Sequence, residues 1–168
     1  CGISSGDYKK IMSISRYMIR ELDGESATDR VYDFASNYTV IAYSLARTEQ
    51  FKKRFPEHSE NFDIPIGNEL MPCVVLAAQG KVKMLDELFV VRQIHQRRIL
   101  LPAVFDSILQ PHWASSTTNF IEYLARIVAE EDSISYDEAY PVAKKAIEQL
   151  LIRQIISKYS ERSIHITR

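Results

Sequence analysis

The stretch SYDEAYPVAKKAIEQLLIRQIISKY, residues 135–159, decides the fold. Ser135 followed by Glu138 is the spacing of a capping box, in which each residue bonds the other's backbone amide at the start of a helix. Pro141 falls in the first turns, where its missing N–H is not needed. Val142, Ala146, Ile147, Leu150, Leu151, Ile155 and Tyr159 then recur at steps of three and four, the period of a helix with one apolar face. A face of that kind is covered by other helices packed around a common core.

The same period extends upstream. Phe120, Ile121, Leu124, Ile127 and Val128 predict a helix after the break at Pro111-His112-Trp113, with Ser115-Ser116-Thr117-Thr118 as candidate caps. Its closing acids, Glu130-Glu131-Asp132, oppose the helix dipole, so this end is expected to fray or to find cations. Tyr8, Ile11, Met12, Ser15, Met18, Ile19 and Leu22 predict a helix from Asp7 to Leu22, ended by Asp23-Gly24. Val31, Phe34, Ala35, Tyr38, Ile41, Ala42, Leu45 and Ala46 predict a long helix opening at Ser26 or Thr28 and closing at Phe55-Pro56, although Tyr38 to Val40 also suits a strand. Residues 56–67 read as a loop.

The segment 73–85 is ambiguous. Cys73 to Ala78 is apolar and partly β-branched, Gln79-Gly80 fits a turn, and Lys81 to Leu85 alternates, so a short hairpin competes with helix. Helical spacing resumes through Leu88, Phe89, Arg92, His95 and Ile99, and Pro102 suits the start of a turn carrying Val104, Phe105 and Ile108. The tail, residues 160–168, suits a short strand over Ser163 to Ile166 or a partner-binding arm. Taken together, the expectation is a mainly α, single compact multi-helix domain of about five or six helices. It spans residues 7–159, between a flexible tether at 1–6 and the tail.

Composition bounds the function. In 168 residues, 46% hydrophobic and 26% charged, 21 Lys and Arg stand against 22 Asp and Glu, so no global field holds a polyanion nonspecifically. No apolar run reaches the length of a membrane span. Cys73, among Met71, Val74, Val75 and Leu76, reads as a small buried hydrophobe. His58, His95, His112 and His165 are dispersed and show no metal-ligand spacing, and no phosphate loop or nucleophile elbow occurs. Arg92/His95, Arg54/His58 and Arg162/His165 are each too close for the paired-helix ribonuclease pattern. Neither a catalytic residue nor a cofactor or metal site is expected.

Two features carry binding chemistry. The run Arg92-Gln93-Ile94-His95-Gln96-Arg97-Arg98 places Arg92, His95, Arg97 and Arg98 where they could contact phosphates, or simply form a solvated, ion-paired helix. Trp113 lies between Pro111-His112 and four hydroxyl residues, suited either to anchor an interface or to plug the end of a helical core. Phe62, Trp113, Ile164 and Ile166 are the interface candidates.

The start, Cys1-Gly2-Ile3-Ser4-Ser5-Gly6, resembles the processed end of bacterial lipoproteins, where a lipid sits on the cysteine ahead of a short polar tether. Cys1-Gly2-Ile3 is also similar to the N-terminal nucleophile of glutamine amidotransferases, but those are strand-rich and this chain reads as helical and poor in Gly. The stretch NELMPCVVL at residues 68–76, with Asp86, Phe105, Trp113 and Tyr123-Leu124, resembles the central part of DotC-type lipoproteins of type IVB secretion and conjugation machines. The chain lacks a Pro-Pro pair after Met71 and has a longer insert between Trp113 and Tyr123. The resemblance implies an envelope subunit of a secretion or conjugation assembly.

The functional expectation is a non-catalytic helical interaction or assembly domain. It would be a bacterial envelope lipoprotein on the periplasmic face, lipid-bearing at Cys1 and engaged with protein partners. The alternative is a cytosolic helical regulatory domain contacting nucleic acid through Arg92, Arg97 and Arg98.

Overall fold

Two consecutive helices organise the molecule. In the computed structural model, which describes residues 2–4, 11–14, 20–53, 70–87, 91–93 and 104–166, they are α5 (Trp113–Asp132) and α6 (Tyr136–Ile166). The connection is so short that the second helix folds back along the first. Ser133 makes the reversal in the left-handed conformation (φ 54°, ψ 40°), its N–H donating to the Ala129 carbonyl. The capping box forms as expected: Ser135 Oγ donates to Glu138 Oε2 at 2.7 Å and the Glu138 N–H donates to Ser135 Oγ at 3.3 Å.

Four shorter helices precede this hairpin among the described residues: α1 (Ala27–Ser36), α2 (Thr48–Lys53), α3 (Met71–Gln79) and α4 (Val104–Ile108). Every residue of α3 is buried, so it is apolar on all sides and lies inside the domain. Around it pack Val31 and Phe34 of α1, Phe120, Leu124 and Val128 of α5, and Ala139, Ala143, Ala146, Ile147 and Leu150 of α6. The three alanines of α6 let its backbone approach closely. Cys73 is buried in this core, as its apolar neighbours suggested. The outcome is a mainly helical, single compact domain.

The segment 73–85 is not a hairpin. Met71–Gln79 is helical because a segment enclosed on every side must satisfy its backbone polar groups internally, and a helix does so without a partner strand. Beyond Gly80 the chain is extended only long enough for Val82 to exchange two backbone hydrogen bonds with Leu22, at 2.8 and 3.0 Å.

Three further expectations are corrected. Within the helix expected over Asp7–Leu22, Ile11–Ile14 is strand β2, which pairs antiparallel with β1 (Gly2–Ser4), while residues 7–10 and 15–19 lie outside the described residues. Strand β3 (Val91–Gln93) pairs parallel with β1 where a helix through Arg92 was expected. In both places a short segment gains a partner strand, which local periodicity does not register. Gly2–Ser4, expected within a tether, is therefore the central strand of a small sheet ordered β2-β1-β3.

The long helix expected from Ser26 to Phe55 is divided. Asn37 ends α1, its N–H donating to the Asp33 and Phe34 carbonyls and its side-chain Nδ2 to Asp33 Oδ1 at 2.8 Å. The β-branched residues Thr39, Val40 and Ile41 follow without helix, and Ile41 enters the core. At the other end, α6 runs through Ile166, so Ser163 to Ile166 is helix and not strand.

Candidate functional site

A polar junction joins α1, α3 and the α5–α6 hairpin. Arg30 of α1 is only 6% exposed. Its Nε donates to the Ala77 carbonyl at 3.0 Å and Nη2 to the Ala78 carbonyl at 2.6 Å, meeting acceptors at the C-terminal end of α3. Nη1 donates to the Gly24 and Glu25 carbonyls, both at 2.9 Å. The negative end of the α3 dipole and these carbonyls together solvate the buried cation. Gly24 is required by space: a Cβ there would lie 2.8 Å from Asp29 Cβ.

The N-terminus of α1 is closed by Asp132. Its carboxylate accepts from the Ala27 N–H, the Thr28 N–H at 2.9 Å and Thr28 Oγ1 at 2.7 Å. Ser26 Oγ accepts from the Asp29 N–H at 3.0 Å, and the Arg30 N–H makes the first turn's bond to the Ser26 carbonyl. Each amide of the first turn thus has an acceptor. The acid expected to fray α5 or seek a cation instead meets the positive end of another helix. Burial pushes the Asp132 carboxyl up, but the Thr28 and Ala27 hydrogen bonds and the Arg30 charge outweigh it and hold it below the ordinary aspartate value.

Around this junction, the exposed Glu25 carboxyl is lowered by its hydrogen bond and ion pair with Lys81. Met84 N–H donates to Glu21 Oε1 at 3.1 Å. On the neighbouring face, Lys145 lies 5.4 Å from the centre of the Tyr32 ring, and burial pushes the Tyr32 hydroxyl up. With its donors turned onto backbone carbonyls, the Arg30 guanidinium acts as a structural clamp between helices.

The binding chemistry lies on α6. Its buried residues Ala139, Ala143, Ala146, Ile147 and Leu150 define one face. Leu151, Ile152, Ile155 and Ile156 define a second, turned about 170° from the first at 100° per residue. Ile152 is 56% exposed and Ile156 57%, while Leu151 and Ile155 are half-buried. The single stripe read from residues 142–159 is therefore two: the bundle takes the first and holds Leu151 at the edge of the second, and Ile152 and Ile156 of the second face outward. Glu148, also exposed, falls on the line of the second stripe one turn before it, and the exposed Arg153 lies about 60° beyond Ile156. Since α6 has 31 residues against 20 in α5, its last turns run about 16 Å past the start of its neighbour.

The sequence candidates are dispersed. Trp113 opens α5, half-buried and packed on the core, with its backbone N–H donating to the Gln110 carbonyl at 3.0 Å. Ile164 and Ile166 belong to the last turns of α6. Arg92 is in β3, paired with Ile3 of β1. Cys1, Phe62, His95, Arg97 and Arg98 lie outside the described residues. Ile152 and Ile156 were not among the candidates; the signal was present as a lateral drift of the apolar positions along residues 142–159.

Among the described residues no group of His, Cys, Asp or Glu could hold a metal ion, and no helix is long and apolar enough to cross a membrane. No family model, curated protein or solved structure matches the chain.

Proposed function

We propose that this protein is a non-catalytic helical interaction domain that works as a subunit of a larger assembly at the bacterial envelope. The observation that carries the reading is the second apolar face of α6, with Ile152 and Ile156 more than half exposed on a helix whose opposite face is already committed to the core. An exposed apolar stripe on a well-packed helix is the usual form of a docking surface.

The test is velocity sedimentation of mildly solubilised extracts from cells making the full chain. The wild type should travel well ahead of a 19.4 kDa monomer. Ile152→Asp/Ile156→Asp should return it to the monomer position without altering its far-UV circular dichroism. A wild type at the monomer position, or a variant that stays in the large species, defeats the reading.

A further inference from the structure

We infer that the outward face of α6 pairs antiparallel with the same face of a second copy of this chain, an assignment that rests on the docking reading of this face and names what the face meets. The inference begins from the order of charge along the exposed side of the helix. Counted from Glu148 at 100° per residue, the exposed residues Asp137, Glu138, Lys144, Lys145, Ile152 and Ile156 fall between about −40° and about +80°. That arc lies opposite the face that Ala139, Ala143, Ala146, Ile147 and Leu150 give to the core.

The charges on the arc run acidic at Asp137 and Glu138, basic at Lys144 and Lys145, and acidic again at Glu148. Arg153 follows on the flank that also carries Glu138. This series changes sign when it is reversed about residue 146. A twofold axis at that point, perpendicular to the helix, sets Glu148 of each copy beside Lys144 and Lys145 of the other. It also brings Arg153 over the turn that holds Asp137 and Glu138. Each charged position therefore meets its opposite, and the acids and bases balance, so the face carries no net charge to repel its duplicate.

The same axis places Ile152, more than half exposed, against the exposed Pro141 ring of the second copy. Lys144 and Glu148 stand four residues apart with the lysine first, the weaker order for an ion pair within a helix, and they make none. Both remain available to the partner. From Asp137 to Ile156 the contact runs about 30 Å along the helix, nearly three turns on each side of the axis. A uniformly acidic or uniformly basic partner fits less well, because the signs alternate along the face.

The experiment is sedimentation equilibrium of the purified full chain in reducing buffer, from about 1 to about 100 μM. The wild type should pass with rising concentration from the 19.4 kDa monomer to twice that mass. Glu148→Lys alone and Lys144→Glu alone each turn attraction into repulsion at two symmetry-related places, and each should weaken self-association at least about tenfold. Mixed in equal amounts, the two variants should dimerise again, since each supplies the charge that the other lacks. Both positions are exposed, so circular dichroism and melting temperature should not change.

A wild type that stays monomeric across the range overturns the inference, as does a Glu148→Lys variant that dimerises like the wild type or a mixture that stays monomeric. If the purified chain is monomeric while Ile152→Asp/Ile156→Asp still disperses the assembly in extracts, the face meets a different protein and only the second-copy assignment falls. If neither measurement responds, the docking reading falls with it.

Discussion

Replacing Asp132 by alanine tests the central argument about how the helices are joined. The substitution removes the acceptor for two backbone amides, those of Ala27 and Thr28, and for the Thr28 hydroxyl. A hydrogen bond to a charged acceptor contributes about 1.5–3 kcal/mol net, and bonds sharing one carboxylate are not additive. Ala27 is fully buried, so water cannot easily replace the lost partner at that end. The expected loss is therefore about 2–4 kcal/mol, above the ~1 kcal/mol of an ordinary helix cap. Asp132→Asn keeps one acceptor but can turn an amide donor toward the other site, and should lose about half as much.

The measurement is urea unfolding followed by circular dichroism at pH 7, with an unchanged slope as the sign that only stability has moved. A pH series supplies the second readout. Because folding lowers the Asp132 carboxyl, the carboxylate's contribution is complete above the unfolded aspartate value of about 3.9 and is lost as pH falls through the lower folded value. The gap between wild type and Asp132→Asn should hold from neutral pH down to about pH 5 and then close. A loss below about 0.5 kcal/mol at pH 7, or a gap that persists undiminished to pH 2, would show that Asp132 does not fasten α1 to the hairpin.

Two further substitutions probe the same architecture. Arg30→Met, similar in length but without donors, leaves the carbonyls of Ala77, Ala78, Gly24 and Glu25 without this partner and should destabilise the fold by about 3–5 kcal/mol in urea unfolding; a change under 1 kcal/mol would deny the clamp. Ser133→Gly should raise stability by about 0.5–1 kcal/mol, since the residue holds φ 54° and glycine adopts that conformation without strain; a lower melting temperature would contradict the turn geometry.

Helix legibility followed from how much of the determining physics is local. The start of α6 was readable because Ser135 and Glu138 bond each other, three residues apart. The helices near Phe120 and Ala146 were readable because each buries one face at a fixed period. Residues 11–14 were misread because Ile11, Met12 and Ile14 satisfy a helical spacing and a strand equally well, and only the presence of Gly2–Ser4 alongside decides between them. The end of α1 at Asn37 was missed because apolar residues continue in phase beyond it to Ala46.

The docking face shows the limit more sharply. From sequence, Val142 to Tyr159 is one apolar series; in the structure the bundle takes the face of Ala139, Ala143 and Ala146, and Ile152 and Ile156 turn outward. Periodicity identifies apolar positions but not which of them have something to be buried against.

What the sequence determined by itself was the class of the protein: helical, near-neutral in charge, and built from amphipathic segments whose caps and periods are written within a few residues of one another. What only the tertiary structure decided was the use of those segments. Asp132 closes a helix that begins about a hundred residues earlier in the chain, Arg30 meets the end of α3, and one side of α6 is enclosed while the other is left facing outward. Each of these depends on groups remote in sequence and adjacent only after folding, where burial removes water as the competing partner.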